Sequence, residues 1–408
     1  MSAIQSHSAI TTSLSLHRIP GMLLLNLMLA ALLGVVLRYQ SIETLEGLPY
    51  QYLLHAHSHL AMMGWASPLL AGMIVWKIVP NTPHMGTYMR LFSANLMIVF
   101  LMTLAFLYQG YAGFSIVFAT LHQLVMYIWA FYVLRDLRAE QSHSLQIILS
   151  RVAIYSMLIG SIALWVLPAV IVLLGRDHTL FQLTIQFFLH GHFYGWFTFG
   201  ALSGLSAFLF VKGATPTVSS RFVPLLIAII FATFFIGLPA KDSLLIRLIA
   251  VAGSTLYLTA VVLLIKRILD ARELHFLIKL GIVSLVVQAL LQLVAATGLV
   301  DSWIQLRHVK VGYLHLTTLG TTTMILGGIF LTSDQDQPFL AKGSWLLVVI
   351  GYVLQELSLL GSPVWSPIIH SNLLHTILFI SSLLILTGTC GLAFLQLSPK
   401  KKFYPITQ

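Results

Sequence analysis

Twelve stretches of about twenty mostly apolar residues follow one another along this chain, and nothing else in the sequence restricts its fold as strongly. A helix rising 1.5 Å per residue needs roughly that length to cross the hydrocarbon of a bilayer, where each backbone polar group must be satisfied internally. The stretches fall at approximately 19–37, 52–76, 90–109, 111–134, 147–174, 181–211, 222–239, 244–265, 275–298, 308–332, 342–361 and 369–396. No segment between them is long enough to hold a soluble domain. The expected fold class is therefore all-α: a polytopic membrane protein with about twelve transmembrane helices, forming a single integral membrane domain over residues 1–408. Composition agrees, since 58% of residues are hydrophobic and 8% charged, against roughly 45–50% and 25% in a soluble domain. These values exclude a soluble globular enzyme, a disordered chain and a disulfide-rich secreted module. The single cysteine, Cys390, excludes an intramolecular disulfide and a Cys-x-x-Cys-His site for covalent haem attachment.

The first stretch follows His17 and Arg18 and has no clear small-residue cleavage site before Tyr39, so a retained helix is expected rather than a removed signal peptide. Lys and Arg placement then sets orientation. The N-terminus, the loops after even-numbered stretches and the C-terminal tail together hold sixteen of these residues, among them Arg135, Arg138, Arg151, Lys212, Arg272 and the Lys400–Lys402 run. The opposite side holds six: Arg38, Arg176, Lys241, Arg247, Arg307 and Lys310. Basic residues concentrate on the cytoplasmic side, so both termini are expected there, in a multi-pass protein of the plasma (inner) membrane. The same asymmetry explains the net charge of +10 without nucleic acid. The C-terminal lysine run reads as an anchor to anionic lipid.

Sixteen histidines are unusual in so apolar a chain. Ten of them lie in even-numbered stretches: His55, His57, His59, His122, His190, His192, His308, His315, His370 and His375. Each sits in the first half of its helix, which on this orientation is the outer half. Ionisable groups inside a membrane are costly and as a rule face the bundle interior. Neutral imidazole is also a good ligand for haem iron and copper. His55 and His59 are four apart and share a helix face, and His308 and His315 are two turns apart on one stripe. His190 and His192 point to different sides, as do His370 and His375. His122 stands alone on its helix and reads as a hydrogen-bonded packing residue.

The pattern His-x-x-x-x-Gly occurs at His59–Gly64, His190–Gly195 and His315–Gly320, with spacings of 131 and 125 residues between successive histidines. The first two copies continue with Trp65 and Trp196. Four helices separate each copy from the next, so the chain reads as three parallel four-helix repeats over approximately 19–134, 147–265 and 275–396. Small residues in membrane helices most often serve close helix contact, and these glycines also leave room for a flat macrocycle.

Twelve helices, cytoplasmic termini and outer-half histidines on helices 2, 6 and 10 resemble the catalytic subunit of the haem-copper oxidases and the related nitric oxide reductases. The string HAHSHLAMMGWASPLLAGMIVWKIVP is also similar to the NnrS family of haem- and copper-containing membrane proteins linked to nitric oxide stress. The resemblance implies an oxidase-like helix bundle, one or two b-type haems and copper. It implies that His59 or His55, with His315, are the low-spin haem ligands, that His308 is the candidate for a second haem, and that His190 or His192 are candidates for copper. The chain departs from the oxidase pattern in three places. Helix 7 carries no histidine, helix 10 lacks the close His-x-His pair, and helix 6 lacks a His-Pro-Glu-Val-Tyr segment. These departures argue against a proton-pumping terminal oxidase and leave His57, His370 and His375 as further candidate metal ligands.

Glu356 lies late in an outward-running helix and so reaches the same outer level; it is the candidate catalytic carboxylate, as a proton donor or metal-site acid. Arg38 and Arg247, at outer helix ends, are candidates for binding haem propionates. The expected chemistry is electron transfer, or binding and reduction of a diatomic gas, nitric oxide or dioxygen, making the chain a candidate oxidoreductase. Electrons would come from a donor protein or a quinol, since the sequence shows no soluble electron-entry domain. The rival expectation is a transition-metal or proton-coupled transporter whose histidines form an ion path, although transporters more commonly place such sites at the midplane of inverted repeats. A third is a scaffold that keeps one haem site without catalysis. No phosphate-cradling loop, serine-histidine-acid arrangement or nucleic-acid-binding basic helix is present.

Overall fold

The computed structural model describes residues 2–140, 143–210, 216–237, 243–269, 274–332, 338–365, 368 and 370–397, with the side chains of 2–20 and 332 outside that description. The Arg18 side chain, Lys212, Lys241, Arg272 and the Lys400–Lys402 run, which bear on orientation, therefore lie outside the described residues. Helix is the only extended secondary structure among the described residues, in keeping with the long apolar stretches. We number the long helical runs α1 (Ser2–Tyr39), α2 (Tyr50–Ile78), α3 (Met85–Gln109), α4 (Gly113–Ala139), α5 (Leu145–Leu174), α6 (residues 179–209), α7 (Phe222–Ile236), α8 (Leu244–Leu269), α9 (Phe276–Thr297), α10 (Arg307–Leu331), α11 (Phe339–Leu360) and α12 (Ser371–Leu397).

Ten of these runs are long and apolar enough to cross a membrane. The other two are α6, which carries His190 and His192, and the short apolar α7. The run expected to fill 222–239 tightens into a 3₁₀ turn over Thr233–Gly237. Helix ends coincide with the expected chain punctuation. Pro49 and Pro338 precede α2 and α11, where a missing N–H costs nothing. Gly110, Gly175 and Gly298 follow α3, α5 and α9 with φ of 63°, 83° and 83°, a region that disfavours a Cβ.

The described chain falls into two compact units. Unit 1 comprises residues 1–136 and 330–408, so it holds α1 to α4, α11 and α12. Its α11–α12 hairpin packs along α1, and α1 packs on α2, which packs on α3. Unit 2 comprises residues 137–329 and holds α5 to α10. Within it, α5 packs along α6 and α7, α8 packs along α9, and α9 packs along α10.

Unit 1 is fastened at one end by a buried carboxylate. Asp136 of α4 accepts hydrogen bonds from Tyr88 of α3 (2.6 Å), from Thr82 in the α2–α3 loop (2.5 Å) and from Nδ1 of His84 (2.7 Å). Both Asp136 and Tyr88 are buried. In unit 2 the end of α9 is fastened by Arg247 of α8, whose Nη1 donates to the Thr297 carbonyl at 2.9 Å and whose Nη2 lies 4.0 Å from Asp301. A cation there complements the carbonyl end of a helix. A Cβ at Gly298 would overlap the Arg247 guanidinium. Gly298→Ala is therefore expected to lower stability by roughly 1–2 kcal/mol from the left-handed φ alone, with more from displacing Arg247. Thermal unfolding of the purified protein reads this out, and an unchanged melting temperature would contradict it.

Candidate functional site

The three His-x-x-x-x-Gly motifs share a backbone feature. Each histidine is the last α-helical residue before a π-helical segment: His59 before Leu60–Ala66, His190 before Gly191–Phe197, and His315 before Leu316–Thr323. A π turn closes hydrogen bonds over five residues, which is the spacing from histidine to glycine in the motif. One further π segment, Ile74–Ile78, lies at the end of α2 and follows no histidine. Single π turns are rare and concentrate at functional sites, because the extra residue re-aims every side chain beyond it.

Hydroxyls within the segments and amides from neighbouring helices stabilise these segments by bonding carbonyls that the wider turn presents. In α2, Asn26 of α1 donates to the Gly64 carbonyl (2.9 Å) and Asn95 of α3 to the Met63 carbonyl (3.3 Å). Asn95 Oδ1 in turn holds Nδ1 of His122 at 2.6 Å, so His122 serves this scaffold. In α6 and α10 the threonines act from within. Thr198 donates to Phe193, Thr321 to Leu316 and Thr323 to Thr318, each reaching back five residues at 2.8–3.2 Å. The α6 segment also packs tightly on α5. A Cβ at Gly160 would stand 2.9 Å from Gly191 Cα, and a Cβ at Gly195 would overlap Ser156. The two helices thus meet through Ser156-x-x-x-Gly160 and Gly191-x-x-x-Gly195, a small-residue crossing of the kind membrane helices favour.

The ring tautomers follow from these backbones. His59 Nδ1 lies 2.9 Å from the His55 carbonyl, His190 Nδ1 2.9 Å from the Gln186 carbonyl, and His192 Nδ1 2.9 Å from the Phe188 carbonyl. A carbonyl only accepts, so Nδ1 carries the proton in each ring and Nε2 carries the lone pair. His57 differs, since its Nδ1 donates across to the Ala30 carbonyl of α1 at 2.8 Å, beside Gly34.

In unit 1 the Nε2 of His59 receives the Tyr111 hydroxyl at 3.1 Å. Tyr111, in the α3–α4 loop, forms an aromatic box with His55, His59 and Phe106, with ring centroids 4.4–6.3 Å apart. Although the residue is half exposed, burial of its ring end pushes the Tyr111 hydroxyl above its ordinary pKa, which keeps it a donor. Nothing in the local sequence signals this contact, because Tyr111 lies 52 residues from His59. Also in unit 1, Glu356 is buried on α11, and Arg38 on α1 and His57 on α2 are half-buried. His375 is half-buried on α12, and His370 is exposed at the α12 N-terminus, where its carbonyl accepts from Leu373.

In unit 2, Nε2 of His190 is buried facing the Thr233 backbone without a well-formed hydrogen bond. Its ring packs against Tyr194 (4.8 Å) and Phe234 (5.6 Å), and His192 packs against Phe188 (4.0 Å). Tyr194 is absent from the residues expected at the site; its i,i+4 spacing from His190, which puts both on one helix face, is the signal the sequence offers for it. His315 and His308 are both half-buried on α10, and Arg247 is engaged at the α9 terminus. Among the described residues no three His, Cys, Asp or Glu side chains gather closely enough to share one metal ion. No protein-family model and no characterised protein matches the sequence.

Proposed function

We propose that this chain is a membrane haem protein of twelve spans, built as three parallel four-helix repeats with both termini cytoplasmic in a plasma membrane, and that histidines at the π turns are its axial ligands. The observation that carries this reading is shared by His59, His190 and His192: Nδ1–H is held by a carbonyl four residues back, which puts the lone pair on Nε2, where in His59 it accepts from the Tyr111 hydroxyl and in His190 it is buried against the Thr233 backbone. Metal-bound histidines almost always donate their second nitrogen in this way, which fixes the ring and raises its basicity. The donor set fits haem, which needs one or two imidazoles, better than a three-histidine copper site. The proposed cofactor is therefore haem b, one or two per chain, with copper as the secondary candidate.

Haem b, when bound, would supply a one-electron centre and an iron able to take a diatomic gas such as nitric oxide or dioxygen. The residues of the chain do the rest. His59 and His192, with His315 at the third π turn, present or orient imidazole. Tyr111 donates to Nε2 of His59 and must release that lone pair for His59 to ligate iron. Glu356 supplies a buried carboxyl group, and Arg38 is the candidate partner for a haem propionate. The apolar helices keep the site at low dielectric, which tunes potential and limits water. An electron-donor protein or a quinol would deliver electrons.

Haem analysis of protein purified from haem-replete cells tests the reading. Wild type is expected to show a sharp alpha band in the reduced-minus-oxidised spectrum, and His59→Ala, His192→Ala and His315→Ala to lose more haem affinity than the roughly 10- to 100-fold that loss of an outer-shell partner costs. A folded, colourless protein that stays colourless on adding haem, and moves zinc or copper into vesicles, would replace this reading with the transporter.

A further inference from the structure

Inside unit 2, five polar side-chain atoms are buried without a hydrogen bond. They are Nε2 and Oε1 of both Gln288 and Gln292, one turn apart on α9, and the Tyr313 hydroxyl of α10. Gln288 is 0% exposed and Gln292 2%. The Tyr313 hydroxyl approaches Gln288 and Tyr194 but reaches hydrogen-bond geometry with neither. Around them, the Tyr257 hydroxyl of α8 donates to the Tyr194 carbonyl at 3.3 Å, and the Tyr194 ring lies 5.6 Å from that of Tyr257 and 6.0 Å from that of Tyr313.

Native interiors rarely leave such atoms unmet, and five dry ones would cost about as much as an ordinary domain's whole net stability. Two amides and a phenol offer both donors and acceptors and carry no charge, so their partner must be neutral and able to donate as well as accept. Closure of the glutamines from the surface requires that it also be small. Water meets all three conditions, and a buried water typically makes about three hydrogen bonds. We propose that unit 2 contains a built site for at least two bound waters, seated among Gln288, Gln292 and Tyr313. The Tyr194 ring packs at a tilt against that of His190, 4.8 Å between centroids, so the proposed water site lies one ring away from a candidate ligand. The site does not depend on the haem reading.

Radiolytic labelling of the full-length protein in ¹⁸O-water tests it, because hydroxyl radicals made from bound water mark the side chains that touch it. Tyr313 is expected to take up ¹⁸O within about tenfold of the rate at exposed Tyr108, while Tyr88, buried and bonded to Asp136, stays unlabelled. Gln292→Leu keeps the size of the side chain and removes two of the five atoms. With water present it is expected to cut Tyr313 labelling at least about fivefold and to lower the melting temperature, because the waters lose partners. In a dry pocket the same change removes an orphaned amide, and the melting temperature rises. Absence of label at Tyr313 in wild type overturns the proposal whatever the variant does, and label in wild type sustains it even where the variant fails to fold.

Discussion

Gly191→Val is expected to force α6 away from α5 and to destabilise unit 2 strongly. A Cβ at Gly191 would meet the Ser156 carbonyl oxygen and the Gly160 backbone, not the far end of a flexible chain. Neither can move without separating the two helices. Overpacking a close-packed contact costs about 1–3 kcal/mol, and a β-branched side chain wedged against backbone belongs at or beyond the upper end. Gly160→Val acts on the same crossing from the other side and is expected to be as severe. Because Gly191 lies between His190 and His192, any fraction that folds should also lose their ring positions. Gly343→Ala is the matched control. It sits inside α11 with nothing within 4 Å of the added Cβ, so it should be neutral or stabilising by about 0.5–1 kcal/mol. Fluorescence-detected size-exclusion after a heating series separates these outcomes. Equal melting temperatures for Gly191→Val and wild type would mean that the crossing does not hold the unit together.

That crossing also marks a boundary between what neighbouring residues encode and what folding supplies. The helices are legible in the sequence because bilayer thickness imposes a length on each apolar run, and ten runs meet it. The His-x-x-x-x-Gly echo is legible because it is local. The π turn after each histidine is not, since its cause lies partly elsewhere: Asn26 and Asn95 reach the α2 segment from α1 and α3. Either asparagine alone reads as an ordinary polar residue in an apolar helix. Tyr111 carries no sequence signal because it lies in a loop, and only folding brings it to His59. Helix parity singles out Glu356, but its burial is supplied by the helices packed around it. Gln288 and Gln292 share a face by simple spacing, yet their burial is a tertiary fact. The same physical rule covers all of these cases. Period and length are written into neighbouring residues, whereas a partner for a buried polar atom is supplied by whichever helix arrives beside it.

Asp136 is the other case, a single acid near a helix end that the structure buries. Its two oxygens receive three donors from three different side chains, so the carboxylate joins the α2–α3 loop, α3 and α4. Asp136→Ala removes every acceptor at once. The Tyr88 hydroxyl is then left inside a fully buried residue with no water to replace the lost bond, and Thr82 and His84 lose their anchor. A hydrogen bond to a charged group contributes about 1.5–3 kcal/mol and a buried donor left unmet costs about 1–3 kcal/mol, so the loss of all three bonds takes away a large part of the net stability of an ordinary domain. Asp136→Asn should be milder by roughly half, because one amide oxygen still accepts while the new N–H₂ faces donors. Tyr88→Phe removes a single donor and leaves two, so it should cost about 1–2 kcal/mol. The predicted order of melting temperatures is thus wild type, Tyr88→Phe, Asp136→Asn, Asp136→Ala. An Asp136→Ala protein as stable as Tyr88→Phe would show that the carboxylate is solvated and that α3 and α4 are held by apolar packing alone.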